Sequence, residues 1–230
     1  MKTVARNLLF LSFLLAFTLS GKAQRKLLSP EKLAKAKTYH SLDETRFRRK
    51  RVYKLNLDNQ KLNSIPEEIA KFENLQELYL RNNNIAFLPD WIFELSNLQK
   101  LMLGENNIQA IQPEIGRLTE LEEIDLFDNA LTVLPPEIGN LNKLQKLDLN
   151  WNRITELPEE LTHLTLLREL WLEQNQLTRL PENIGNLENL EVIKLYKNRL
   201  ISLPPSFGKL ILLDKLNLSD NELQTIPPEI

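Results

Sequence analysis

Residues 144–166 read LQKLDLNWNRITELPEELTHLTL, and residues 167–189, which follow at once, read LRELWLEQNQLTRLPENIGNLEN. The two stretches align without a gap, because leucines, one asparagine and a Leu-Pro pair recur at the same places. The chain keeps this register through rows of equal length that start at Val52, Leu75, Leu98, Leu121, Leu144, Leu167, Leu190 and Leu213. Self-similarity at a fixed period is typical of repeats that bury their apolar faces only against each other. This pattern therefore predicts that residues 52–230 form a repeat domain of seven full repeats and a partial eighth.

Each repeat predicts one short strand that ends in a sharp turn. Leu147 and Leu149 alternate with polar residues, which is typical of a strand with one buried face. The asparagine that follows carries donors and acceptors, so it can satisfy backbone groups where the chain turns. We expect a structural ladder of these residues: Asn83, Asn106, Asn129, Asn152, Asn175, Asn198 and Asn221. A proline such as Pro158 then takes the chain out of the sheet, because it cannot join a strand ladder.

Stacked repeats predict an α/β solenoid with a curved parallel β-sheet on the concave face and turns or short helices on the convex face. These residues resemble the leucine-rich-repeat family in its 23-residue bacterial form with LPxxI tails. The resemblance implies a right-handed solenoid that binds a protein or peptide. One departure is Gln60, which stands at the first ladder position in place of asparagine.

Residues 1–23 have the pattern of a signal peptide. Lys2 and Arg6 precede an uncharged run over residues 8–19, and small residues stand at the −3 and −1 positions of a cleavage site before Gln24. The run is shorter than the roughly 20 residues that span a bilayer. The pattern predicts export to the periplasm, the cell surface or the medium, with no membrane span. If the segment is not cleaved, an intracellular signalling scaffold is the alternative.

Residues 24–51 do not follow the repeat and predict an N-terminal helical capping segment. Ser29 before a proline is typical of a helix start, and Ser41 and Glu44 have the spacing of a capping box. The segment ends in a basic cluster of Arg46, Arg48, Arg49, Lys50 and Arg51. The cluster could contact an anionic surface, but a solvated cap is the favoured interpretation, and no nucleic-acid partner is predicted.

Composition argues against most catalytic chemistry. The chain has no cysteine, and its two histidines, His40 and His163, lie far apart in sequence. There is no thiolate metal site, no cysteine nucleophile and no phosphate-binding glycine loop in the sequence. We therefore predict no enzyme, no catalytic residue, no cofactor and no metal.

The variable strand positions predict a partner-binding surface on the concave face. Large aromatic residues on an exposed sheet face are typical of binding hot spots, although packing between neighbours such as Trp151 and Trp171 is the structural alternative. Among these variable positions, acidic residues lie at the centre of the sheet, and basic residues lie towards its C-terminal end. The candidate residues are Tyr79, Met102, Asp125, Phe127, Asp128, Asp148, Trp151, Trp171, Lys194 and Tyr196.

These observations favour a protein- or peptide-binding module. A glycan-binding protein is the alternative, because aromatic rings beside carboxylates also suit sugars. An uncovered last strand adds the expectation of self-association through the C-terminal edge of the sheet. At the third position of each repeat, lysine and glutamate alternate from Lys54 to Glu169, which predicts a structural ladder of opposite charges between neighbouring strands.

Overall fold

The computed structural model describes residues 27–228, so the predicted signal peptide lies outside the described residues. The repeats form one parallel sheet whose strands follow chain order, which confirms the predicted solenoid. Nine strands make this sheet: β1 (Thr38–Tyr39), β2 (Lys54–Asn56), β3 (Glu77–Tyr79), β4 (Lys100–Met102), β5 (Glu123–Asp125), β6 (Lys146–Asp148), β7 (Glu169–Trp171), β8 (Val192–Lys194) and β9 (Lys215–Asn217).

The segment before the repeats contributes a strand as well as helices. Its two helices are α1 (Pro30–Ala34) and α2 (Leu42–Thr45), and β1 lies between them and pairs in parallel with β2. The Ser41 hydroxyl accepts a hydrogen bond from the Glu44 N–H, whereas the Ser29 side chain caps no backbone group of α1. Neither helix among residues 27–228 has the length of apolar chain that crossing a bilayer requires.

The convex side consists of short 3-10 helices. They span Arg49–Arg51, Glu67–Lys71, Asp90–Glu94, Pro113–Arg117, Pro136–Asn140, Glu159–His163, Ile184–Asn186 and Pro205–Lys209. In the repeat around Ile138, Pro135 precedes the helix with a φ of −72°, and the Leu141 N–H closes the turn on the Ile138 carbonyl at 3.2 Å. The proline ends the extended segment, and one tight turn then points Ile138 into the core.

A single apolar core runs between the sheet and the convex helices. Leu147 of β6 and Leu170 of β7 are neighbours in register and both fully buried, as are their equivalents in most other repeats. At the C-terminal end, by contrast, Leu216 of β9 is 39% exposed at the position that is buried elsewhere. Each leucine row is covered only by the next repeat, so the stability of the domain is collective.

The asparagine after each strand joins two repeats through backbone hydrogen bonds. The Asn152 side-chain amide donates to the Leu149 carbonyl of its own repeat at 3.1 Å and to the Leu126 carbonyl of the preceding repeat at 2.9 Å. Its Oδ1 accepts from the Leu131 N–H at 3.0 Å. At the first ladder position, Gln60 instead donates to the His40 carbonyl at 2.9 Å and so connects the repeats to the capping segment.

We predict that Asn152→Ala lowers the free energy of unfolding by about 2–4 kcal/mol, because it leaves several buried backbone groups without partners. The control is Asn84→Ala, which removes an exposed amide in the same type of turn and should change stability by less than about 0.5 kcal/mol. Urea unfolding followed by circular dichroism measures both. Equal midpoints for the two variants would contradict a structural role for the buried amide.

Candidate functional site

Strand register brings six of the ten predicted binding residues into one row on the concave face. Tyr79, Met102, Asp125, Asp148, Trp171 and Lys194 occupy the same position of six consecutive strands, from β3 to β8. The other four predicted residues lie just beyond the strand ends: Phe127, Asp128, Trp151 and Tyr196. The central members lie on adjacent strands, whereas Tyr79 and Tyr196 lie towards opposite ends of the sheet.

The predicted binding residues differ in the exposed fraction of their side chains, so some form the surface of the site and others lie beneath it. Trp151 is 50% exposed, whereas Met102 is only 4% exposed and offers little surface to a partner. Phe127 is half-buried, and its ring lies 6.0 Å from that of Trp151 at an interplanar angle of 57°. Tilted aromatic pairs at this distance attract each other. Together the two rings form one apolar wall at the centre of the concave face.

Trp151 has an unfavourable backbone conformation for so large a side chain. Three residues after the end of each strand from β2 to β9, the backbone takes a positive φ: Asn59, Asn82, Glu105, Asp128, Trp151, Gln174, Lys197 and Asp220. The φ of Trp151 is 56°, in the left-handed region that asparagine and aspartate tolerate better than bulky residues. Strain of this kind concentrates at functional sites, where the surrounding structure maintains it.

Two carboxylates form the floor of the site beside this wall. Asp125 and Asp148 are partners in register on β5 and β6 and are 4% and 8% exposed. Each accepts a hydrogen bond from the N–H two residues later, Asp125 from Phe127 at 2.9 Å and Asp148 from Asn150 at 3.0 Å. Both side chains are thereby held in one orientation, as in an Asx turn.

The two carboxylates differ in their ionic partners. The Arg81 guanidinium lies 2.5 Å from Asp125 and reaches it from two repeats away. The intervening residue is Gly104, where a Cβ atom would lie only 2.8 Å from the Asp125 Oδ2. Glycine therefore leaves the space in which Arg81 and Asp125 meet. Asp148 has no ion pair with any residue in the range 27–228.

A shallow depression of about 140 Å³ opens between these groups. Its lining comprises Arg81, Gly104, Glu105, Asp125, Phe127 and Asp148. The pKa of Asp148 is raised to about 6, chiefly by burial and also by the neighbouring charge of Asp125, while the Asn150 N–H and two lysines act in the opposite direction. The depression thus contains one paired carboxylate and one that ionises reluctantly.

Trp171 lies between two lysines. The Lys146 and Lys194 ammonium nitrogens lie 4.1 Å and 3.6 Å from the centre of its ring, at cation–π distance. The indole Nε1 is buried and has no hydrogen-bond partner among the residues that the structure describes. Trp171 is therefore held in place mainly by packing and by these two charges.

The alternating charges at the third position of each repeat, where the strands begin, pair between neighbouring strands as predicted. Lys100 lies 2.6 Å from Glu123, and Lys146 lies within 4 Å of both Glu123 and Glu169. The Lys54–Glu77 distance is 3.4 Å. Opposite charges on neighbouring strands stabilise a sheet modestly. Over residues 27–228, no group of His, Asp or Glu has a geometry that could hold a metal ion.

Four residues of the site were not among the sequence candidates: Arg81, Gly104, Glu105 and Lys146. Of these residues, Gly104 could have been identified from the sequence, because glycine beside a strand often marks a close approach of another group. Arg81 and Lys146 act across one or two repeats. Their partners follow only from side-chain conformations that a repeat pattern does not specify.

Comparison with known proteins identifies similar repeats. Family models described as leucine rich repeat match residues 50–108 and 73–131, and one described as leucine-rich repeat region matches residues 125–198. A solved leucine-rich-repeat protein of Leptospira interrogans is 32% identical with a TM-score of 0.62; the match covers 84% of this chain and 61% of that one. A comparison with curated proteins gives no match.

Two plant receptors in complex with their ligands are also similar. The ectodomain of the Arabidopsis thaliana receptor kinase GASSHO1/SCHENGEN3, in complex with CASPARIAN STRIP INTEGRITY FACTOR 2, is 36% identical with a TM-score of 0.68; the match covers 74% of this chain and 21% of that one. The plant peptide hormone receptor RGFR1, in complex with RGF2, is 34% identical with a TM-score of 0.67, over 75% and 31% of the two chains. The chain thus spans less than two thirds of each of these three structures.

We predict that Asp148→Asn stabilises the protein at pH 7 by about 1–3 kcal/mol, because it removes a buried charge. Asparagine should keep the turn, since Asn56 and Asn217 at the same position accept the equivalent N–H bond. A raised pKa means that the native state binds a proton more tightly than the unfolded chain. Wild-type stability should therefore fall as pH rises from about 4 to about 7.

Urea unfolding at pH 4, 5, 6 and 7 measures this dependence. The difference in the free energy of unfolding between Asp148→Asn and wild type should be small at pH 4 and should increase towards pH 7. Asp128→Asn is the matched control, because it removes an exposed carboxylate from the same face. A difference that stays constant with pH would show that the Asp148 charge costs nothing in the folded protein.

Proposed function

Because the chain belongs to the leucine-rich repeat family, we propose that it is a non-enzymatic protein- or peptide-binding module that uses the concave face of its solenoid. The centre of the proposed surface is the Phe127–Trp151 pair, with Trp171 beside it. The other seven residues predicted from sequence belong to the same face, with Tyr79 and Tyr196 towards its two ends and Met102 below the surface.

Trp151 is the observation that carries this proposal. Folding alone favours a small polar residue at its backbone position, and other repeats have asparagine or aspartate there. Trp151 instead places half of a large ring in solvent at the centre of the sheet. A half-exposed aromatic that also strains the backbone is better explained by binding than by stability.

The similar solved structures support a peptide as the ligand class. One is a plant receptor kinase ectodomain in complex with CASPARIAN STRIP INTEGRITY FACTOR 2, and another is a plant peptide hormone receptor in complex with RGF2. In this chain the concave face offers a shallow depression rather than a deep pocket. Shallow, aromatic-walled surfaces suit an extended chain that contacts several strands at once.

We predict that the double variant Trp151→Ala, Trp171→Ala loses at least about tenfold in affinity for peptides that the wild-type chain selects from a random phage-displayed library. Fluorescence anisotropy with the synthesised peptides gives the affinities. The control is Phe87→Ala, which removes an aromatic ring that is 71% exposed outside the predicted set, and it should bind as wild type does.

A second variant separates binding from folding. Trp151→Asn suits the positive φ, so its stability should stay within about 1 kcal/mol of wild type while the peptide affinity falls. Unchanged affinity in both tryptophan variants would refute a concave binding site. A glycan array, run in parallel on wild type and on Trp151→Asn, tests the alternative that the rings stack on sugars.

We also propose that the chain is an exported bacterial protein whose mature form begins at Gln24. The basic start, the uncharged run and the small residues before this position support cleavage, and the similarity to the Leptospira interrogans protein supports the source. N-terminal sequencing after expression in a bacterium should give QRKLL from a fraction outside the cytoplasm. An intact Met1 in the cytoplasm would instead favour the intracellular scaffold.

A further inference from the structure

We infer that the depression beside Asp148 receives an arginine side chain of the bound partner, which would pair with Asp148 as Arg81 pairs with Asp125. This inference rests on the proposed function, because it names the chemistry that the concave site selects. It specifies one contact, between a guanidinium supplied by the partner and a carboxylate of β6.

The repeat itself supplies the template for this contact. Asp125 and Asp148 are register partners with the same turn geometry, and a shift of one repeat converts one into the other. The same shift converts Arg81, which binds Asp125, into Gly104. The position that would supply a guanidinium to Asp148 from within the chain therefore has no side chain.

The surroundings of Asp148 suit a guanidinium in particular. Arg81 reaches Asp125 past Gly104, and the residue equivalent to Gly104 one repeat later is Phe127. That route is therefore not repeated at Asp148, and the open approach is the depression itself. Phe127 and Asp148 both line this depression, so a guanidinium that enters it would lie beside the Phe127 ring. Guanidinium groups combine stacking on aromatic rings with bidentate pairing to carboxylates, which an ammonium group does not.

The local charges leave Asp148 available for such a partner. Arg81 is engaged by Asp125, and the two nearest lysines, Lys146 and Lys194, lie over the Trp171 ring. No residue in the part of the chain that the structure describes forms an ion pair with Asp148. An arginine from outside would supply a full charge to a carboxylate that is 8% exposed. Charge pairs of this kind fix register and orientation at interfaces.

The pH dependence of binding follows from the same group. The pKa of Asp148 is about 6 in the free protein, where the facing charges are Asp125, Lys146 and Lys194. A guanidinium pairs with the ionised carboxylate and gains no such attraction from the protonated one. Affinity should therefore be constant above pH 7 and about tenfold lower at pH 5, where most Asp148 carries a proton.

The test uses the same phage-displayed random library, selected on wild type and on Asp148→Asn in parallel. Wild type should enrich arginine at one fixed position, and Asp148→Asn should not. Replacing that arginine in a selected peptide by citrulline, which is neutral and of the same shape, should weaken binding to wild type at least tenfold. The same replacement should have little effect on binding to Asp148→Asn. Glu160→Gln is the control for net charge, because it removes one exposed carboxylate from the convex side.

The outcomes distinguish a failure of the arginine contact from a failure of the proposed peptide-binding function. Peptides that need Trp151 but show no arginine preference, or that prefer lysine equally, overturn the arginine contact and leave the peptide-binding function intact. An arginine preference that persists unchanged in Asp148→Asn also overturns it. If no peptide is selected, nuclear magnetic resonance titration with N-acetyl-arginine methylamide decides. Shifts of the tryptophan indole signals in wild type but not in Asp148→Asn support the contact, and their absence overturns it.

Discussion

Everything in this fold depends on how the chain leaves the sheet after each three-residue strand. Three residues after the strand ends, one residue takes a left-handed conformation, and the asparagine that follows it donates to carbonyls of its own and the preceding repeat. These bonds satisfy backbone groups that would otherwise be buried without partners. They also fix the spacing of successive repeats, so the leucines of one repeat meet those of the next in register. The apolar core provides the free energy, but the turn determines where that core can form.

This constraint explains why so much of the fold could be predicted. Residues whose role is local to one repeat, such as Leu147, Asn152 and Pro158, recur at fixed spacing, and recurrence identifies them. The prediction was less complete where the pattern stops. The capping segment contains the strand β1 in addition to its helices, because Thr38 and Tyr39 pair with β2 without following the repeat. No periodicity marks a strand that occurs once.

The candidate site shows a different limit. Sequence spacing places side chains on a face, but it does not say which of them are accessible or with which neighbours they pair. Met102 shares a row with Trp171 and yet is buried. Arg81 reaches over Gly104 to a carboxylate two repeats away, which depends on the rotamer of a long side chain and on the absence of a Cβ atom. Departures from the repeat consensus, rather than the consensus itself, therefore determine the chemistry of this face.

Two such departures coincide at the centre of the concave sheet, and both act against folding. Asparagine suits the backbone conformation of Trp151, as it does at Asn59 and Asn82. Asparagine also satisfies the turn at the Asp148 position without a buried charge, as it does at Asn56 and Asn217. The chain thus contains the more stable solution at both positions in other repeats, but not here. Trp151 and Asp148 lie three residues apart in the same repeat, so a half-exposed ring and a reluctantly ionised carboxylate offer a partner two interactions that the isolated domain does not satisfy. A partner that covers the ring would also exclude water from the carboxylate, where an ion pair is stronger than in water.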